Sequence, residues 1–193
     1  MAKFKIDEAI LNGVHNFTNE SNYITPPKEV GEKLEWFRDQ KLALMVHMGL
    51  YCQIGTTASW GLSDHDASWS RKDFSESPLS GKEYRNMYFN LNKSFNPVRF
   101  EPEQWAELAA KNGFRYLIFT TKHHDGFCLW DTKETDYKTT SPDCPYSSNQ
   151  YADIVKSVFD AFRKKGLGIG AYFSKPDWHS PYYWAEGMAH SEE

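Results

Sequence analysis

The segment TTKHHDGFCLWD, residues 120–131, gathers the residue types in this chain that are best suited to chemistry. It follows the apolar run YLIF and contains the adjacent pair His123 and His124, followed by Asp125. A third histidine, His47, lies near the end of another apolar run, LALMVHM. A neutral imidazole offers one hydrogen-bond donor and one acceptor, which suits neighbouring hydroxyl groups of a sugar. His47, His123 and His124 are therefore candidate binding residues.

Three histidines with nearby carboxylates could instead hold a divalent metal ion. The sequence has no HxH pair and no HExxH motif, and one backbone rarely directs two adjacent imidazoles to one ion. We therefore predict no metal and no cofactor, although a metal-dependent hydrolase stays open as an alternative. The absence of GxGxxG, Walker and GxSxG motifs gives nucleotide and serine-hydrolase sites no support.

Apolar strands and amphipathic helices alternate along the chain, which predicts an α/β fold with parallel strands. The strands are predicted at residues 42–48, 116–121 and 167–174, and the helices from Pro26-Pro27 to about 40, from Glu101-Pro102 to 112 and at 151–165. In the second helix Trp105, Leu108 and Ala109 are expected to share the apolar face. Residues 52–95 show no sustained period and are predicted to form a long loop.

The polar residues that follow the strands should meet at one edge of the sheet, where α/β barrels build their sites. Neighbouring side chains of a regular strand point to opposite faces, so His123 and His124 could reach one pocket only through a kink or bulge. Asp125-Gly126 supplies a turn at that point, with the carboxylate expected to cap backbone N–H groups.

The composition is that of an ordinary globular protein, with 193 residues, 40% hydrophobic, and a net charge of −4. This charge gives no reason to expect a nucleic-acid or anionic-membrane partner, and no apolar stretch is long enough to span a bilayer. Three cysteines without CxxC spacing and the lack of a signal-peptide pattern favour a cytoplasmic protein, with a secreted or periplasmic location as the alternative if a signal peptide was removed. The aromatic content of 16% suits either core packing or sugar stacking. Residues 1–25 are predicted to form an irregular arm, and residues 26–193 one domain.

The motifs resemble those of the α-L-fucosidases, a family of retaining glycoside hydrolases. The resemblance rests on LEWFRDQKLALMVHMGLYC from 34 to 52, the stretch from FNPVRFEPEQW to KHHDGFCLWDTKETDY between 95 and 137, and FRKKGLGIGAYFSKPDW from 162 to 178. It implies that the chain is the N-terminal portion of a (β/α)8, TIM-type barrel that removes terminal α-L-fucose from glycans with retention. It also implies that the three histidines bind fucose hydroxyls, that Tyr172 lies near the nucleophile and that Trp60 lies beside the pocket.

The chain departs from the family pattern at three points. His47 is followed by Met48 where the family commonly has Trp, and Ser59 precedes Trp60 where the family often has Glu. No segment before Glu193 matches the family's nucleophile, so the nucleophile and the acid/base are expected beyond Glu193. We therefore expect the 193-residue chain to be inactive alone, with the rest of the barrel supplied by a longer chain or a partner chain. A non-catalytic fucose-binding short form remains the alternative.

Overall fold

The computed structural model describes residues 27–63, 70 and 80–181. The chain forms two compact units, Met1–Asp39 and Gln40–Glu193. The first unit contains helix α1 (Lys28–Asp39), which confirms the helix predicted after Pro26-Pro27. The predicted N-terminal arm lies outside the described residues, so its boundary stays a prediction. Among the described residues, no helix has the length and apolar character needed to cross a bilayer.

The second unit is built on a three-stranded sheet in the order β1-β2-β3, comprising β1 (Ala43–Val46), β2 (Tyr116–Lys122) and β3 (Gly168–Phe173). All strand pairs are parallel, as predicted. Leu44 pairs with Leu117, and Leu117 pairs with Ile169. These three side chains belong to or pack against the apolar core, which confirms the α/β class.

Helices α3 (Pro102–Lys111) and α4 (Ile154–Lys164) connect the strands and pack against each other. Pro in the first turn of α3 suits a position whose N–H has no partner in the helix. The predicted apolar face of α3 was wrong in one residue: Leu108 is 64% exposed, whereas Ala106 and Ala109 are buried. Small residues face the core here because they let the helices approach closely. In α4 the buried residues Ile154, Val158 and Phe162 match the predicted stripe.

The prediction of one long loop over residues 52–95 was wrong, because part of it forms helix α2 (Gly81–Phe89). Ser80 caps this helix: its Oγ accepts from the Glu83 N–H, and the Glu83 carboxylate accepts from the Ser80 N–H. This reciprocal pair is a capping box, and the Ser-x-x-Glu pattern in the sequence was the missed signal. Short 3-10 helices lie at Leu50–Ile54, Ser59–Leu62, Asn90–Ser94 and Pro145–Ser148.

Candidate functional site

The candidate binding residues of the three strands meet at the carboxyl edge of the sheet. His47 follows β1 directly, His123 and His124 follow β2, and Tyr172 lies near the end of β3. The ring centroids of His47 and His123 are 5.8 Å apart, and those of His47 and Tyr172 are 5.5 Å apart. The adjacent rings of His123 and His124 are 4.4 Å apart, so both imidazoles belong to one cluster.

An irregularity in β2 precedes the histidine pair. The register of β2 with β3 shifts between Thr120 and Lys122, so that one extra residue is accommodated on β2. Gly126 then turns the chain with φ of 78°, a left-handed conformation that favours glycine. These features confirm the predicted bulge and the Asp-Gly turn, and they account for two neighbouring histidines lying in one cluster.

His123 is buried and shares a hydrogen bond with a serine. Its Nδ1 lies 2.6 Å from the Oγ of Ser59, which the 3-10 helix Ser59–Leu62 brings to the strand end. Burial, with smaller contributions from His124, His47 and Lys122, lowers the pKa of His123 to about 3. The ring is therefore neutral at physiological pH. A neutral ring with Nδ1 engaged leaves Nε2 as its remaining hydrogen-bonding atom.

Among the described residues, His124 is held by packing, and no hydrogen bond reaches its Nδ1. The indole of Trp178 lies against it, with ring centroids 4.8 Å apart, and the Trp178 N–H donates to the His124 carbonyl at 2.6 Å. Its Nδ1 is buried and has no hydrogen-bond partner among the described residues. Burial, followed by the charge of Lys122, lowers the pKa of His124. Both adjacent imidazoles thus favour the neutral form.

Asp125 stabilises the turn and does not face an open site. It is 1% exposed; Oδ1 accepts from the Phe127 N–H at 3.2 Å and Oδ2 accepts from the Tyr88 hydroxyl at 2.6 Å. Burial raises its pKa to about 6, although these two hydrogen bonds act in the opposite direction. The predicted capping role is confirmed, whereas the tie to Tyr88 on α2 was not foreseen.

Trp60, the remaining predicted residue, follows Ser59 directly in the same 3-10 helix and is 41% exposed. A cleft of about 460 Å³ lies elsewhere, and none of the histidines lines it. Its walls are formed by Val98, Phe100, Glu101, Glu103, Asn149, Gln150 and Tyr151. This cleft is therefore separate from the histidine cluster. Within the described ranges, no group of three or more His, Cys, Asp or Glu side chains is placed to hold a metal ion.

Parallel strands connected through helices define an α/β protein, and the polar side chains at their carboxyl ends form a candidate ligand site. A family model described as alpha-L-fucosidase matches residues 12–193. The chain belongs to the alpha-L-fucosidase family.

Curated and solved relatives agree with this assignment. A putative alpha-L-fucosidase of Caenorhabditis elegans is 30% identical over 154 residues, which cover 79% of this chain and 30% of the relative. Alpha-L-fucosidase 1 of Arabidopsis thaliana is 39% identical over 89 residues, or 46% of this chain and 17% of the relative. The structure of alpha-L-fucosidase isoenzyme 1 from Paenibacillus thiaminolyticus is similar with a TM-score of 0.63 and 38% identity, over 81% of this chain and 32% of that chain. The chain thus spans about a third or less of the length of these relatives.

Proposed function

We propose that this chain is the sugar-binding part of an α-L-fucosidase that hydrolyses terminal α-L-fucose from fucosylated glycans with retention. The observation that carries the proposal is the meeting of His47, His123, His124 and Tyr172 at the ends of three parallel strands, in a chain of this family. The catalytic domain proposed for the whole protein is a (β/α)8 barrel, to which the three described strands contribute. No nucleic acid, membrane, metal or cofactor takes part in the proposed reaction.

The proposed roles of the histidines rest on their chemistry and on the resemblance to the family, and those of Trp60 and Tyr172 rest on the resemblance alone. His47, His123 and His124 bind fucose hydroxyls, and the neutral form of the adjacent pair lets each ring both donate and accept. Trp60 provides an aromatic surface beside the sugar. Tyr172 lies next to the reacting carbon, close to the nucleophile.

The carboxylates that break the bond are proposed to lie outside this chain. Retaining hydrolysis uses two carboxyl groups about 5–5.5 Å apart. Asp125 follows the histidine pair, but both of its oxygens already accept hydrogen bonds from Tyr88 and Phe127, and its side chain is buried. A carboxylate engaged in this way is a poor nucleophile toward a sugar bound at the strand ends. The 193-residue chain is therefore proposed to be inactive without the rest of the barrel, supplied in a longer chain or by a partner chain.

Hydrolysis of p-nitrophenyl α-L-fucoside tests the proposal. The full-length gene product should release p-nitrophenol, and the corresponding β-D-galactoside should not replace the fucoside. The 193-residue chain, with Asp125→Asn beside it, should release none above buffer. Turnover by the short chain that Asp125→Asn abolishes would place the nucleophile at Asp125, whereas an inactive gene product would overturn the assigned activity.

The alternative proposal, a non-catalytic fucose-binding protein, keeps the same histidines and differs in the outcome of one measurement. A gene product that binds L-fucose in calorimetry, loses binding in His124→Ala and hydrolyses no aryl α-L-fucoside would favour it.

We also propose a reducing, cytoplasmic location. Cys52, Cys128 and Cys144 are all free thiols, and two of them are buried. Fractionation of the native host tests this, and recovery of the protein outside the cytoplasm would contradict it.

A further inference from the structure

Lys122, the last residue of β2, is a buried lysine to which the proposed function assigns no role. Its side chain is only 5% exposed, and it forms an ion pair with the partly exposed carboxylate of Asp177. Nζ donates to the Pro176 carbonyl at 3.0 Å and lies 3.8 Å from an Asp177 carboxylate oxygen. It also lies 4.7 Å from the centroid of the Phe173 ring. Burying a lysine is costly unless its charge is paired and hydrogen-bonded, so these contacts hold the ammonium group in place.

The contacts of Lys122 reach the segment that follows β3, residues 174–180, which we name the β3 loop. The Ser174 N–H donates to the Lys122 carbonyl at 3.0 Å, so main chain and side chain of Lys122 both hold this loop. Within the loop, Asp177 Oδ1 accepts from the N–H groups of His179 and Ser180, each at 3.2 Å. The loop is thus fixed on both sides of Trp178.

Trp178 connects the anchored loop to the site. Its N–H donates to the His124 carbonyl and its indole packs on the His124 ring, whose Nδ1 has no partner among the described residues. In contrast to His123, the ring of His124 is therefore oriented by the β3 loop. A change in the anchor should move the imidazole without touching it.

Lys122 also brings a fixed positive charge to the end of β2, two residues before His124. The other titratable groups around the histidine pair are His47 after β1, Tyr51 in the following 3-10 helix, Tyr172 on β3, Asp177 in the β3 loop and Asp125 in the turn. Burial favours neutral His124 most strongly, and the ammonium adds to this effect by lowering the pKa further.

We propose that Lys122 is a positioning residue of the fucose site: it anchors the β3 loop so that Trp178 backs the imidazole of His124. This inference rests on the proposed function. Lys122 acts through His124 and Trp178 and does not itself touch the sugar.

The test compares three lysine variants of the full-length gene product. Lys122→Met removes anchor and charge, Lys122→Gln keeps an N–H donor for the Pro176 carbonyl without the charge, and Lys122→Arg keeps the charge. The matched control is Lys138→Met, because Lys138 is 14% exposed, pairs with Asp131 and donates to the Thr132 carbonyl away from the histidines. The readouts are kcat/KM on p-nitrophenyl α-L-fucoside against pH, and histidine NMR titration, which needs no activity.

Loss of the positive charge makes the imidazolium less unfavourable, so the pKa of His124 should rise in Lys122→Met and Lys122→Gln. The acid limb of kcat/KM should move to higher pH in both, and stay in place in Lys122→Arg and Lys138→Met. Lys122→Met should also lose about 10- to 100-fold in kcat/KM at neutral pH, as expected for a misplaced binding group. Lys122→Gln should lose less.

The inference would be overturned if both uncharged variants kept the acid limb and the His124 titration of the wild type and had kcat/KM within twofold of Lys138→Met. If Lys122→Met does not fold, the shift of the His124 pKa in Lys122→Gln decides whether the inference holds. If the wild-type protein does not hydrolyse the fucoside, the proposed function fails, and the NMR titration still decides whether Lys122 controls His124.

Discussion

His123 and His124 are neighbours in the chain, yet different parts of the molecule hold them. The ring of His123 is tied to the Ser59 hydroxyl, in a segment between β1 and β2. The ring of His124 packs on Trp178, in the β3 loop after the last strand. A hydrogen bond restrains both the orientation and the tautomer of a ring, whereas packing restrains orientation alone. The orientation of each ring therefore depends on a different segment. A substitution in one segment should disturb one ring and leave the other in place.

The largest effect on the surroundings of His124 is expected at Gly126, where the turn after β2 contacts the β3 loop. A Cβ at this position would collide with the Asp177 carboxylate and come within 3.0 Å of the His179 Cβ, and φ is already 78°. We expect Gly126→Ala to cost about 1–2 kcal/mol for the left-handed backbone and a further 1–3 kcal/mol for overpacking. Urea unfolding measures the sum.

Gly113→Ala is the matched control for this prediction. Its φ is 79°, but nothing lies within 4 Å of the added Cβ, so only the backbone term should appear. Equal losses in the two variants would show that the β3 loop does not press on the turn.

Asp125, next to both histidines, should make stability depend on pH. Burial raises its folded-state pKa from 3.8 to about 6, so the folded state holds its proton more tightly than the unfolded chain. The associated stability is fully present below about pH 4 and is lost as pH rises through 6. The loss amounts to roughly 3 kcal/mol.

Asp125→Asn cannot ionise and should escape this loss. Between pH 3 and 7 its free energy of unfolding should gain roughly 3 kcal/mol relative to wild type. Urea titrations at a series of pH values provide the measurement, and parallel curves for the two proteins would disprove the assigned pKa.

Removal of the His124 ring should weaken sugar binding in the transition state. We expect His124→Ala in the full-length gene product to lower kcat/KM on the aryl α-L-fucoside by about 1–3 kcal/mol for each hydroxyl left unpaired. Lys156→Ala is the control, because Lys156 is exposed on α4 and pairs with Asp160. An unchanged kcat/KM in His124→Ala would exclude the binding role.

The smallest effect on activity is expected when the contact between Ser59 and His123 is removed. Ser59→Ala removes the hydroxyl partner of Nδ1 and should cost about 0.5–1.5 kcal/mol, mainly in KM. Ser157→Ala, which removes a hydroxyl bond to the Asp153 carbonyl on α4, serves as the control for kcat/KM. A shift of the His124 titration in Ser59→Ala would show that the two rings are not held independently.

The sequence predicted the parts of the fold that have a clear period. The three strands, α4 and the bounds of α3 emerged because their apolar residues recur at strand or helix spacing. Leu108 was misplaced because α3 turns its alanines to the core, and apolar periodicity cannot distinguish a small buried residue from a large exposed one. Helix α2 was missed because it has only nine residues within a segment rich in polar residues, although Tyr84, Met87 and Tyr88 recur at helical spacing.

The site residues could be predicted where a histidine stands at the end of a predicted strand, as at His47, His123 and His124. The supporting contacts were not, because they join distant segments. Ser59 reaches His123 across 64 residues, and Lys122 reaches Pro176 across 54. Such pairs depend on the parallel sheet order, which the periodicity of the sequence implies. They also depend on the conformations of the loops, which periodicity does not reveal.

The parallel pairing also has a consequence for synthesis of the protein. Ala43 must pair with Tyr116, which emerges about seventy residues later. At translation rates of about 5–20 residues per second, β1 waits roughly 4–14 s before its neighbour is made. During this interval its apolar side chains and unpaired backbone groups can join other nascent chains. Association of the LALMV segment with other chains during translation is therefore expected to lower the yield of folded protein.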